Sequence, residues 1–114
     1  QSNAIKKLTL NVDDRMIPIN FSKIVFVTVK DKETIVQTLH EQYSISCTLN
    51  ELNSKLNDTR FFQSHRSYII NTHYIDVIEP WFNSTLMLKM KHSEHMVPVS
   101  RSYVKQFKSI MNID

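Results

Sequence analysis

The sequence predicts a single mostly β domain carrying two helices, and three observations predict it. Over most of the chain, apolar and polar residues alternate at period two or gather in short β-branched blocks separated by polar turns. Two longer segments, near residues 48–57 and 101–111, instead repeat their apolar residues at helical spacing. A length of 114 residues supports one hydrophobic core and is too short for two domains of ordinary size.

Taken in order, Ile5 to Val12 ends in strand-like alternation, and Asp13-Asp14-Arg15 forms a turn into Met16-Ile17-Pro18-Ile19, which together read as a hairpin. Phe21-Ser22-Lys23 reads as a short helical turn. It leads into Ile24-Val25-Phe26-Val27-Thr28-Val29, a run apolar enough to be buried on both faces. The charged stretch Lys30-Asp31-Lys32-Glu33 turns the chain into Thr34-Ile35-Val36-Gln37-Thr38, a second hairpin. Thr48 and Glu51 have the capping-box spacing, in which each side chain satisfies a free backbone amide of the other, and Leu49, Leu52 and Leu56 share one helical face. Phe61-Phe62 and Tyr68-Ile69-Ile70 are strand-like around the polar stretch Gln63 to Ser67. Strands over Thr85–Lys89 and His95–Val99 are joined by Lys91-His92-Ser93. Ser100 then stands where it caps a helix whose stripe is Tyr103, Val104, Phe107, Ile110 and Met111.

Composition excludes several classes. The apolar share of 41% and charged share of 22% belong to a globular protein, and no apolar run approaches the roughly 20 residues a membrane helix needs. Membrane insertion is therefore not expected. Cys47 is the single cysteine, which rules out an intrachain disulfide and a thiolate zinc cluster and fits a reducing cytoplasm. With no glycine, the chain lacks the means to build a phosphate-cradling P-loop or a dinucleotide fingerprint cheaply. Gln1-Ser2-Asn3-Ala4 resembles the scar of a removed affinity tag, which leaves 5–114 as the domain. The net charge of +3 is modest, but its distribution is not even. Residues 1–59 carry seven Lys/Arg and seven Asp/Glu, whereas residues 60–108 carry seven Lys/Arg and three Asp/Glu.

Two clusters in the basic half carry the chemistry. Ser64-His65-Arg66-Ser67 interrupts apolar strands. On a bend there, Arg66 presents a forked donor suited to the O6 and N7 edge of guanine, while His65, Ser64 and Ser67 donate to phosphate. The plainer alternative makes His65 a scaffold histidine and Arg66 a surface charge. Ser100-Arg101-Ser102 opens the last helix, where free amides and the helix dipole attract anions. A first-turn arginine is electrostatically misplaced there unless it serves a ligand. His92 with His95, and His65 with His73, lack the spacing and carboxylate company of a metal site, so no metal or cofactor is expected. Ser64 and His65 are adjacent on a strand and point to opposite faces, which denies them a nucleophile–base pairing; no catalytic residue emerges and the chain does not read as an enzyme. The aromatic residues Phe61, Phe62, Tyr68, Tyr74, Trp81 and Phe82 leave single-stranded binding as a minor alternative.

Phe61-Phe62-Gln63-Ser64-His65-Arg66-Ser67-Tyr68-Ile69-Ile70-Asn71, then Tyr74-Ile75, then Val97-Pro98-Val99-Ser100-Arg101-Ser102-Tyr103 resembles the LytTR family of DNA-binding domains, with similarity from about Ile5 onward. The resemblance implies an elongated stack of small antiparallel sheets whose loops reach double-stranded DNA, here the hairpin from Lys30 to Thr34, the bend at His65-Arg66, and Ser100-Arg101. It implies Arg66 and Arg101 as base readers in successive major grooves, Lys30 and Lys32 as contacts of the first loop, and Asn71 and His65 as scaffold. It further implies promoter direct repeats as targets, a receiver domain in the intact protein and pairing of two copies on DNA. The competing reading is a β-rich protein- or ligand-binding module with an incidental basic edge.

Overall fold

A computed structural model describes residues 6–113; the tag-like residues 1–4 lie outside them. Ten strands and two α-helices follow one another as β1 (Lys7–Val12), β2 (Arg15–Asn20), β3 (Ile24–Lys30), β4 (Glu33–Thr38), β5 (Gln42–Ile45), α1 (Leu49–Lys55), β6 (Phe61–His65), β7 (Tyr68–Asn71), β8 (Ile75–Trp81), β9 (Thr85–Met90), β10 (Met96–Val99) and α2 (Arg101–Ile110). Three antiparallel sheets result: β1-β2, a central β5-β4-β3-β7-β6, and β10-β9-β8.

The outer sheets cover opposite faces of the central one, so the domain has two cores. In the first, Leu8 and Leu10 of β1 face Ile19 and Ile17 across the hairpin, and this face packs with Leu49, Leu52 and Leu56 on Ile24, Val27, Val36 and Ile69. In the second, Leu86, Leu88, Met90, Val97, Val99 and Phe107 of α2 close over Val25, Phe26, Phe62 and Ile70. Neighbours Ile69 and Ile70 thus serve different cores, as strand alternation requires. A bulge between Ile24 and Phe26 breaks that alternation in β3 and sends Val25 and Phe26 to the same side. Both faces of β3 are consequently buried, as its continuous apolar run predicts.

Local chemistry accounts for the joints. Thr48 and Glu51 make the full capping box at the start of α1. Two of the two-residue hairpin turns, Asp13-Asp14 and Asp31-Lys32, have positive φ at each position, the primed geometry whose twist matches that of the strands. Phe21–Lys23 forms the expected short helical turn. The buried Asn71 amide donates to Ile24 O at 2.9 Å and Phe21 O at 3.4 Å, and Asn71 Oδ1 accepts from His73 N at 3.0 Å.

Several local expectations change. Strands β5 and β8 were not foreseen. The strand expected from His95 starts at Met96, and the helices end at Lys55 and Ile110. Ser100 occupies the N-cap position of α2, but its hydroxyl makes no capping bond. Ile110 is 46% exposed and leaves the apolar stripe, whereas Phe107 is fully buried.

Candidate nucleic-acid interface

Three chain turns meet along one edge of the central sheet, held in line by backbone hydrogen bonds. The β3–β4 tip exposes Lys30, Asp31 and Lys32. Next to it, Val29 N donates to Ser67 O at 3.1 Å, tying this hairpin to the β6–β7 turn that carries Arg66. On the other side of that turn, Ser100 N donates to Ser64 O at 2.9 Å and the Ser64 hydroxyl donates to Pro98 O at 3.0 Å. Arg101 therefore leaves the chain one residue from a segment bonded directly to the strand that delivers Arg66. Lys30, Lys32, Arg66 and Arg101 are all exposed. Among the described residues the ion pairs are Asp58 with Lys6 and with Arg60, and none of these four cations takes part in one.

The β6–β7 turn is built from its own side chains. A bulge between Gln63 and His65 shifts the register, and His65 pairs with Tyr68 across Arg66-Ser67. His65 Nδ1 accepts from Ser67 N at 3.0 Å, so the neutral ring carries its proton on Nε2, which is left as a donor. Burial, and after it the charge of neighbouring Arg66, lowers the His65 pKa below the ordinary histidine value and keeps the ring neutral.

The remaining expected site residues divide by burial. Ser64 is fully buried with its hydroxyl committed to Pro98, so the expectation that it donates to phosphate fails and its place is structural. Asn71 is equally buried and committed. Ser67 and Ser100 are half-buried beside the arginines, and Ser102 is exposed in the first turn of α2. Among the described residues no three His, Cys, Asp or Glu side chains gather as a metal-binding group.

One residue at this edge was missed by sequence reasoning except as half of a rejected metal pair. His95 Nε2 lies 2.7 Å from the Tyr68 hydroxyl, and its ring lies 5.1 Å from Phe26 and 5.7 Å from Tyr68. Burial, then the charge of Lys30, lowers its pKa. It brings the β9–β10 connection alongside the arginine turn. Its 27-residue separation from Tyr68 left no local signal to find it by.

Residues 14–112 match the LytTr DNA-binding domain family. The sensory transduction protein LytT of Bacillus subtilis is 38% identical over 107 residues, covering 94% of this chain and 44% of that protein. The transcriptional regulatory protein YpdB of Escherichia coli K12 is 39% identical over 107 residues, covering 92% of this chain and 44% of that protein. The chain thus spans less than half the length of these relatives. A solved LytTr DNA-binding domain of a response regulator from Bacillus cereus superimposes with a TM-score of 0.82 at 33% identity, covering 95% of this chain and 98% of that one. Mostly β, with three small antiparallel sheets and two helices, this chain belongs to the LytTr DNA-binding domain family.

Proposed function

We propose that residues 5–114 bind double-stranded DNA sequence-specifically, as the effector domain of a bacterial transcription regulator working in the cytoplasm, and that the domain is not an enzyme. The observation that carries this reading is the braced edge: four exposed cations that take part in none of the ion pairs among the described residues, on three turns joined by backbone hydrogen bonds. Such bracing reduces the ordering cost on binding and fixes the separation of the two arginines.

Arg66 and Arg101 read base edges in successive major grooves, each as a bidentate donor suited to guanine. Lys30 and Lys32 neutralise phosphates beside them. His65 supplies its Nε2 proton to a backbone oxygen, and Ser67, Ser100 and Ser102, with the free amides of α2, complete the phosphate contacts. Ser64 and Asn71 support the turns from inside. In the intact regulator a receiver domain accompanies this one, and two copies occupy promoter direct repeats, so two weak half-site contacts add through effective concentration.

The test is selection of bound sequences from a random duplex pool, followed by anisotropy titrations across a salt series. Each arginine-to-alanine variant, Arg66→Ala and Arg101→Ala, is expected to cost about 1–3 kcal/mol and to relax preference at its own base position. No enriched sequence, or two variants that alter only the salt slope, would overturn base reading and favour the protein-binding alternative.

A further inference from the structure

Among the described residues, the two most exposed large apolar side chains, Met16 and Phe82, belong to hairpins on opposite sides of the central sheet. At the turn between β8 and β9, Phe82 is 74% and Trp81 48% exposed. Trp81 lines a groove of about 620 Å³ whose walls include Ile78, Leu86, Val104, Lys108 and Ile113, and Phe82 adjoins it, its ring 5.2 Å from that of Trp81. On the far side of the stack, Met16 of β2 is 75% exposed. Strand parity turns Ile17 and Ile19 into the first core and points Met16 outward, while Arg15 shares the inward parity. Exposed Arg15 separates Met16 from the acidic turn Asp13-Asp14, so the hairpin end carries a net negative charge.

We propose that the groove receives the β1–β2 hairpin of a second copy of this chain, with Met16 against Trp81 and Phe82 and the Asp13-Asp14 turn against Lys108. A flexible thioether suits an aromatic-rimmed groove, and the charges are opposite. A two-fold arrangement of groove against groove would instead place Lys108 against Lys108, which like-charge repulsion disfavours. The hairpin and the groove belong to sheets on opposite faces of the central one, so the contact joins two unlike surfaces and runs head-to-tail, repeating one rotation from copy to copy. Direct repeats on DNA also relate successive sites by one repeated rotation, so the inference deepens the proposed function and rests on it. With few apolar groups involved, the contact forms when DNA already holds both copies close together.

The experiment uses the 114-residue chain on duplexes carrying one selected site, two in direct repeat, or two in inverted repeat, the spacing varied through a helical turn. Wild type is expected to bind the second direct repeat about tenfold or more tightly than an isolated site, and to show no such gain on inverted repeats. Phe82→Ser, Met16→Ser and Lys108→Glu are each expected to abolish the gain while leaving single-site affinity unchanged. Asp14→Lys combined with Lys108→Glu is expected to restore it. Lysine is conformationally admissible at that turn position, because Lys32 occupies the equivalent place in the other hairpin at φ 68°. Equal gain on direct and inverted repeats, no gain on either, or a gain that survives the three single variants overturns the inference. Failure of wild type to bind the single site overturns the DNA reading itself, which keeps the two failures apart.

Discussion

Replacing Lys32 by glycine separates what this residue costs the fold from what it gives to binding. Lys32 has φ 68° in the primed turn between β3 and β4, a conformation in which its Cβ crowds the backbone. Removing the Cβ recovers about 1–2 kcal/mol, and the greater freedom of glycine in the unfolded chain takes back about 0.5–1 kcal/mol. A net stabilisation of about 0–1.5 kcal/mol remains, equivalent to a Tm rise of up to about 8 °C for a domain of this size. The same change removes one cation from the braced edge. If Lys32 neutralises one phosphate, the slope of log K against log salt becomes shallower by about 0.9, so binding at 0.1 M salt weakens about eightfold and the difference extrapolates to nothing at 1 M. Calorimetry and a salt-series titration on one preparation measure both effects. A variant that is less stable than wild type refutes the backbone argument. One that is more stable yet keeps the full salt slope refutes the phosphate contact.

Ser64→Ala deletes the buried hydroxyl that donates to Pro98 O and is expected to lower stability by about 1–2 kcal/mol, read as a reduced urea midpoint at unchanged m-value. Asp58 accepts from Arg60 Nε at 2.8 Å and Arg60 N at 3.0 Å and pairs with Lys6 Nζ at 3.3 Å, and Arg60 above all holds its carboxyl far below the usual carboxylate range. A depressed folded pKa stabilises above the unfolded value and fades as pH falls through the folded one. Asp58→Asn should therefore cost about 1.5–3 kcal/mol at neutral pH, and its stability should converge on that of wild type in acid. His65 also has a lowered folded pKa, so folding expels its proton and its stabilisation is complete above about pH 6.5 and lost below. His65→Asn, whose carbonyl can accept from Ser67 N without titrating, should flatten that part of the acid limb; an unaltered pH profile would count against the role assigned to the ring.

Legibility in the sequence followed the range of the interactions. The capping box at Thr48, the doubly buried run of β3 and the turn at Asp13-Asp14 rest on neighbours within a few residues, and each was readable. Arg66 and Arg101 could be singled out as misfits, one breaking apolar strands and the other opening a helix with the wrong charge. Their common edge could not be read from local pattern, because it depends on a bond from Ser100 N to Ser64 O, and it was named only through family resemblance. Strand β8 escaped because it lies at the border of its sheet with little burial, so Ile75–Trp81 lacks a clean apolar alternation. Ser64 was misjudged for a related reason: a serine in a polar cluster looks exposed until β10 is laid across it.

The centre of the five-stranded sheet, at β3 and β7, is covered on both faces, and this has a consequence during synthesis. Val25 and Phe26 leave the ribosome long before Leu86, Leu88, Val97 and Phe107, the residues that eventually shield them. A nascent chain can assemble the first half of the stack, yet it must carry a bare apolar sheet face until α2 is translated. Strand β3 also waits for β7, some forty residues later, to complete its pairing. Such late, long-range closure slows folding and exposes the intermediate to aggregation. Truncations that remove α2 should therefore yield an insoluble product rather than a smaller domain, and yield in the cell should depend more on chaperone capacity than on the stability of the finished fold.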